Sequence, residues 1–288
     1  MTSLPSDICG PRPGIYRGIP LADYLSWPYV SKGALGAMGR SPGQYLHARL
    51  TPWKGSDMAI VGSAVDCLLF DGPTTFQGRY SVRPPGLGSL ATKEGKAWKI
   101  NQGDRVIVPR AISGNPIDVY QTVLQIYQCE PAAEIIVASE SQISLVWQDP
   151  ETGLMCKGRP DLVSLEGPPY DVWDLKVTLD VSMDAFARKI AEQGWQRLVW
   201  YLDGLTELTG EEHNALGFIA AERHPPFGVE VYRLGMASME IGRAQNRDAL
   251  DKISYYSDLG TWPTSSNIKR TIDLPYWELR KHEALTNG

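Results

Sequence analysis

The chain has 288 residues, 43% of them hydrophobic and 21% charged; that is apolar material enough for a folded core, and it argues against a disordered chain. The formal net charge of −5 argues against a protein that coats nucleic acid nonspecifically, since such binding is driven by phosphate neutralisation. It leaves room for one local basic groove around an acidic metal site.

Taken in chain order, the first stretch, to about Leu50, mixes turn residues with short apolar pieces such as Ile15-Tyr16 and Tyr24-Leu25. Met58, Val61, Val65, Leu68 and Leu69 then recur at three- and four-residue spacing, which predicts a helix over 58–70 with one buried face. Asp71-Gly72-Pro73 stops it. A glycine- and charge-rich stretch, 83–115, holds a short predicted helix over 93–99, and 117–127 is helical again. From 143 the period changes to that of strands. A strand over 143–147, the turn cluster Asp149-Pro150-Glu151-Thr152-Gly153 and a second strand over 154–165 make a hairpin. Gly167-Pro168-Pro169 leads into a third strand over 171–177. Helices follow between 183 and 208, strands over 216–221 and 229–234, and a closing helix over 236–259. This order predicts an α/β fold with a central mixed sheet flanked by helices.

The polar, proline- and glycine-rich start does not resemble a signal peptide, and no apolar run is long enough to cross a bilayer; a soluble, cytoplasmic protein is expected. Cys9, Cys67, Cys129 and Cys156 are scattered, without a CxxC pair, and read as free thiols. The histidines, His47, His213, His224 and His282, sit near neither the cysteines nor a nucleophile motif, so a structural zinc site and a hydrolase triad are unsupported.

Chemistry concentrates in two neighbouring strands, each carrying an aspartate near a turn: Gly158-Arg159-Pro160-Asp161 and Trp173-Asp174-Leu175-Lys176. Side chains alternate along a strand, so Asp174 and Lys176 share one face and Leu175 takes the other. Antiparallel pairing would bring Asp161 beside Asp174. Two carboxylates held close repel each other, and a hard divalent cation with oxygen ligands is the usual remedy; a nearby lysine can orient a water or stabilise charge on phosphate. The bland alternative is a solvated strand face. Against it stands the apolar setting, Val172-Trp173 before Asp174 and Leu175 and Val177 around Lys176, because buried charges need partners.

Cys156 through Asp161, followed by Asp174-Leu175-Lys176-Val177-Thr178, resembles the RecE-type (exonuclease VIII) branch of the PD-(D/E)XK nucleases. Ser31-Lys32-Gly33-Ala34-Leu35 and Ser41-Pro42 are similar to that family's N-terminal region, and 62–69 to its first active-site helix. Gly260-Thr261-Trp262-Pro263 and Leu274-Pro275-Tyr276-Trp277 are similar to its C-terminal end. The likeness spans nearly the whole chain and implies a restriction-endonuclease-like core in one domain, 1–288, with an N-terminal elaboration (about 1–55) and a C-terminal helical extension (about 236–288).

It further implies a Mg²⁺-dependent deoxyribonuclease, with Mn²⁺ as a substitute, digesting linear duplex DNA from a 5′ end in recombination or repair. A phage or prophage origin, a strand-annealing partner and a homo-oligomeric ring around DNA belong to the same picture. Asp161, Asp174 and the Leu175 carbonyl would bind the metal, Asp66 would complete its shell, Glu140 would serve as an outer or second-metal group, and Lys176 would position the attacking water. Asp66 stands where the family usually has histidine. The family's glutamine lies four residues before a tyrosine, whereas Gln196 precedes Tyr201 by five and Arg197 fills the expected slot, so either can reach the site. Lys157, Arg159, Arg188, Lys189 and Arg197 are candidates for contact with the DNA backbone, and Lys93, Lys96 and Lys99 around Trp98 offer another. The alternatives are an endonuclease of this fold, or a noncatalytic DNA-binding or assembly protein that retains it.

Overall fold

The computed structural model describes residues 10–51, 55–164, 170–192, 195–211, 215–264, 269, 271–276 and 280, the side chains of 196, 197 and 215 excepted. The chain begins with β1 (Gly14–Tyr16), α1 (Leu21–Ser26), α2 (Lys32–Met38) and α3 (Pro42–Leu50), regular structure in a region whose sequence showed mainly turns. Next comes α4 (Asp57–Asp66), its first turn capped by the Ser56 hydroxyl, which accepts from the Ala59 amide at 3.3 Å. A π-helical turn, Cys67–Asp71, extends it. Gly72, at φ +82°, then redirects the chain into α5 (Gly72–Arg79), so the predicted stop is a change of direction between two helices. Val61, Val65 and Leu69 are buried as the spacing predicts, while Met58 is exposed.

An insert follows: β2 (Tyr80–Val82), α6 (Lys93–Asn101), β3 (Val106–Val108), and the short pair β4 (Ala111–Ile112) and β5 (Asn115–Pro116). Then come α7 (Val119–Gln128), α8 (Glu130–Val137), which the sequence reading did not anticipate, β6 (Glu140–Ser141), β7 (Ser144–Gln148), β8 (Met155–Gly158), β9 (Leu162–Val163) and β10 (Asp171–Thr178). The chain continues through α9 (Met183–Glu192), α10 (Gln196–Thr209), β11 (Ala215–Glu222), β12 (Val229–Arg233) and α11 (Met236–Leu259). No helix among the described residues is long and apolar enough to cross a membrane.

The principal sheet has the order β12-β11-β10-β9-β6. Its central pair, β10 and β11, is parallel, and the connection between them carries α9 and α10; the other pairs are antiparallel. The strand expected over 154–165 is broken. β8 pairs with β7 in a second sheet, β1-β7-β8, whereas β9 joins β10 and β6 in the first. Arg159-Pro160-Asp161 is the crossing point, and Pro160, lacking an N–H, suits an interruption of the ladder.

Both faces of the principal sheet are covered. Val172, Leu216, Phe218 and Ala220 pack with α2, α10 and α11, while Trp173, Leu175, Ile219 and Ala221 pack with α4 and α7. This is the period-two alternation of a doubly covered strand pair. Gly217 is required here: any Cβ would lie 2.1 Å from the Trp173 ring. Helix α3 also meets the segment that follows α11. The Tyr45 ring stacks on Trp262 at 4.9 Å, and the Gly43 amide donates to the Pro263 carbonyl at 3.0 Å.

Candidate active site

The site forms where β10 outruns its neighbour. β9 pairs only with Val172 and Trp173, so from Asp174 onward one edge of β10 has no strand beside it among the described residues. The sheet crossing at Pro160 delivers Asp161 to this edge, where its Oδ2 accepts from the Leu175 amide at 2.8 Å. In a strand the N–H and C=O of one residue leave the same edge. The Leu175 carbonyl therefore faces the Asp161 side as well.

Asp174 and Lys176 share the opposite register, on the face covered by α2 and α10. Asp174 is 1% exposed. A carboxylate buried this deeply requires cationic partners, and it has two: Lys176 donates to its Oδ2, and Lys32 of α2 stands 3.7 Å from its Oδ1. The Lys32 ammonium also lies over the Tyr201 ring, 4.9 Å from its centre. Tyr201 in turn packs against Gly158, where a Cβ would sit 2.8 Å from the ring. Burial pushes the Tyr201 and Tyr24 hydroxyls up to about 12, so both stay neutral near pH 7. Burial, reinforced by the Lys32 charge, lowers Lys176 to about 8.

Asp66, at the C-terminal end of α4, shares with Asp161 a cleft of about 610 Å³. Desolvation raises its pKa well above the ordinary 3.8, and the Asp161 charge raises it further, against the lowering pull of Lys176 and Lys32. Among the described residues, no three His, Cys, Asp or Glu side chains are grouped as a metal cluster. The donor set is nevertheless all oxygen, Asp66 and Asp161 with the Leu175 carbonyl edge between β10 and the cleft. That chemistry fits a hard cation, with Asp174 adjoining and held by lysines.

Other sequence candidates fall elsewhere. Glu140 needs correction: its carboxylate is held by Arg17, whose Nε and Nη2 both donate to it, the latter at 2.8 Å. Its neighbours Ser141 and Gln142 line the cleft instead. Lys157 also needs correction. It is buried, and its ammonium donates to the Tyr24, Leu25 and Trp27 carbonyls at 2.8, 3.2 and 2.7 Å, so it closes the end of α1 and offers nothing to a phosphate. Arg159 does line the cleft, but its guanidinium is bound to the Ile19 carbonyl, the Ser144 hydroxyl and the Gln142 amide oxygen. Lys189 donates to the Val177 carbonyl at 2.6 Å. Arg188 is exposed on α9. The side chains of Gln196 and Arg197 lie outside the described residues, as do Cys9 and Trp277; Cys67, Cys129 and Cys156 are free thiols.

Lys32, which stands beside Asp174, carries no local sign of that role in the sequence. It lies in Ser31-Lys32-Gly33, and nothing in that triplet says that α2 would dock over β10. Arg223, just past β11, likewise has nothing in its sequence neighbourhood that marks it. It is 1% exposed, and its Nε and Nη1 have no hydrogen-bond partner among the described residues.

A mixed sheet with Asp174 and Lys176 on its central strand and Asp161 delivered to that strand's free edge defines a PD-(D/E)XK-like fold. The chain belongs to the family described as PDDEXK-like domain of unknown function (DUF3799), whose model matches residues 31–273. Among curated proteins, none matches the chain. Among solved structures, the fold is similar to that of a "Putative exonuclease" from Eubacterium rectale, at 11% identity and a TM-score of 0.57, covering 91% of this chain and 97% of that one. An alkaline exonuclease from Laribacter hongkongensis is a more distant match, 10% identical with a TM-score of 0.27 over 68% of this chain and 89% of its own.

Proposed function

We propose that this protein is a divalent-metal-dependent deoxyribonuclease that hydrolyses phosphodiester bonds at the free edge of β10. The reading rests on one observation above the others: the Asp161 carboxylate sits on the Leu175 amide, directly beside the Asp174-x-Lys176 pair. Asp161, Asp66 and the Leu175 carbonyl are the groups that would hold Mg²⁺ or Mn²⁺, with Asp174 adjoining. A cation bound there supplies charge neutralisation at the phosphate and makes an attacking water more acidic. Lys176 orients that water and offsets charge developing on the phosphate, and Lys32 stands beside Asp174 as a second cationic partner. Tyr24 and Tyr201 contribute neutral hydroxyls.

On the resemblance to RecE-type enzymes, the proposed substrate is linear duplex DNA, digested from a 5′ end during recombination or repair. A strand-annealing partner and a ring-shaped assembly accompany that proposal.

The test is incubation of the protein with end-labelled linear duplex and with covalently closed circles, in Mg²⁺, Mn²⁺ or EDTA. The expected result is metal-dependent loss of the linear form while circles survive, with Lys176→Ala slowed by about a hundredfold or more. Nicking of circles at a comparable rate would make it an endonuclease. DNA binding without cleavage in either metal would leave a noncatalytic DNA-binding protein and overturn the proposal.

A further inference from the structure

Away from the carboxylates, the insert between α5 and α7 forms a second cleft of about 670 Å³. Arg83, Lys99, Arg105 and Arg110 line it, against a single carboxylate, Asp57. None of the four forms an ion pair with a described carboxylate. Arg105 is fixed by neutral acceptors alone, donating to the Gln102 carbonyl and side-chain oxygen, both at 3.0 Å. The Arg83 Nε is buried without a hydrogen-bond partner among the described residues. In a chain of net charge −5, four cations gathered around one cavity repel one another and concentrate a positive field there. A buried charged donor left without an acceptor also carries a desolvation cost that an anion would relieve.

The cleft adjoins the carboxylates by two covalent routes. Tyr80, at the start of β2, lines the carboxylate cleft, and Arg83 follows β2 to line the basic one. Three residues of extended chain span about 10 Å. Asp57 and Asp66 stand at opposite ends of α4, and nine residues of helical rise separate them by about 14 Å. With phosphates advancing about 3.4 Å along the axis per nucleotide of one strand, this is a reach of about three or four nucleotides. A small free anion would fill one cleft only, whereas a nucleic-acid strand fills both.

We infer that this basic cleft holds the phosphate backbone of the DNA substrate about three or four nucleotides from the phosphate being cut. The inference rests on the deoxyribonuclease reading above, and it assigns part of the affinity for DNA to a surface that takes no part in hydrolysis.

The experiment compares wild type, Arg83→Gln/Arg110→Gln and the charge-conserving Arg83→Lys/Arg110→Lys. A fluorescein-labelled linear duplex is bound in EDTA across a salt series and cleaved in Mg²⁺. The expected result for the glutamine variant is a Tm at or above that of wild type, a KM about tenfold higher, an unchanged kcat, and a slope of log affinity against log salt shallower by about 2. The lysine variant should behave as wild type. A folded glutamine variant with wild-type KM and salt slope would overturn the inference while leaving the nuclease reading intact. So would inorganic phosphate raising the Tm of wild type but not of that variant, with equal DNA affinity in both. A wild-type protein that neither binds nor cleaves DNA would overturn both readings.

Discussion

The Asp161 carboxylate accepts the Leu175 amide at 2.8 Å, closing with a side chain the strand edge that β9 leaves open. One carboxyl group thus has two duties, pairing a backbone donor and presenting negative charge to the cleft, and substitution can separate them. Asp161→Asn keeps an acceptor oxygen for Leu175, so its Tm should stay close to wild type while hydrolysis falls at least a hundredfold, as for a lost transition-state contact. Asp161→Ala removes the acceptor too and should cost a further ~1–3 kcal/mol, the penalty for an unpaired buried amide. Urea unfolding beside single-turnover cleavage checks both. Equal stability of the two variants would mean that the Leu175 bond contributes nothing.

Asp66 gives a prediction with a sign. Desolvation and the Asp161 charge raise its pKa above the ordinary 3.8. The unfolded chain therefore loses this proton first, and Asp66 subtracts stability as pH rises from about 4 toward its folded value. Without metal, Asp66→Asn should be neutral or stabilising at pH 7. Wild type should gain Tm on adding Mg²⁺, since a ligand of the folded state shifts unfolding by mass action, and the variant should lose much of that gain. Asp66→His should keep substantial cleavage. Wild-type Mg²⁺ response in Asp66→Asn would remove Asp66 from the ligand set.

Lys157 should matter to stability and not to DNA. Lys157→Met leaves three carbonyls at the end of α1 without their donor, and leaving buried acceptors unpaired costs about 1–3 kcal/mol. Burial lowers its pKa from 10.5 to about 8. Between these values the unfolded chain holds the extra proton, so wild type gains stability as pH climbs from 8 to 10. The variant lacks this gain, and the gap between the two should widen by about 1–2 kcal/mol over that window. Denaturant titrations at both pH values measure it; a gap that narrows would contradict the assignment.

Arg223 is the opposite case, a buried guanidinium whose Nε and Nη1 have no partner among the described residues. Replacing an unpaired buried charge by an apolar chain of similar length is often neutral or stabilising by about 1–4 kcal/mol. Arg223→Met should therefore melt at or above the wild-type temperature. A loss of several degrees would show that the guanidinium is paired in solution.

The sequence by itself determined the elements whose cause is local. The apolar spacing of Val61, Val65 and Leu69 made α4 and the π-helical turn that extends it, the Asp149–Gly153 turn cluster made the β7–β8 hairpin, and a helix over about 236–259 was legible as α11. It also placed Asp174 and Lys176 on one face of one strand, because a two-residue period needs no tertiary information. What it could not decide was partnership between distant segments. A continuous strand over 154–165 was the natural reading of its composition; only the packed structure shows the chain changing sheets at Pro160 and so carrying Asp161 to the edge of β10. Lys157 and Arg159 looked like surface cations on either side of Gly158. Tertiary packing buried the first under α1 and bound the second to Ile19, Ser144 and Gln142. Lys32 and Asp174 lie 142 positions apart in the chain, and nothing local to either specifies their approach to 3.7 Å. That contact exists because burying α2 and α10 on one face of the sheet removes their apolar sides from water. A long-range contact of this kind is a property of the whole packed core, which no window of sequence contains.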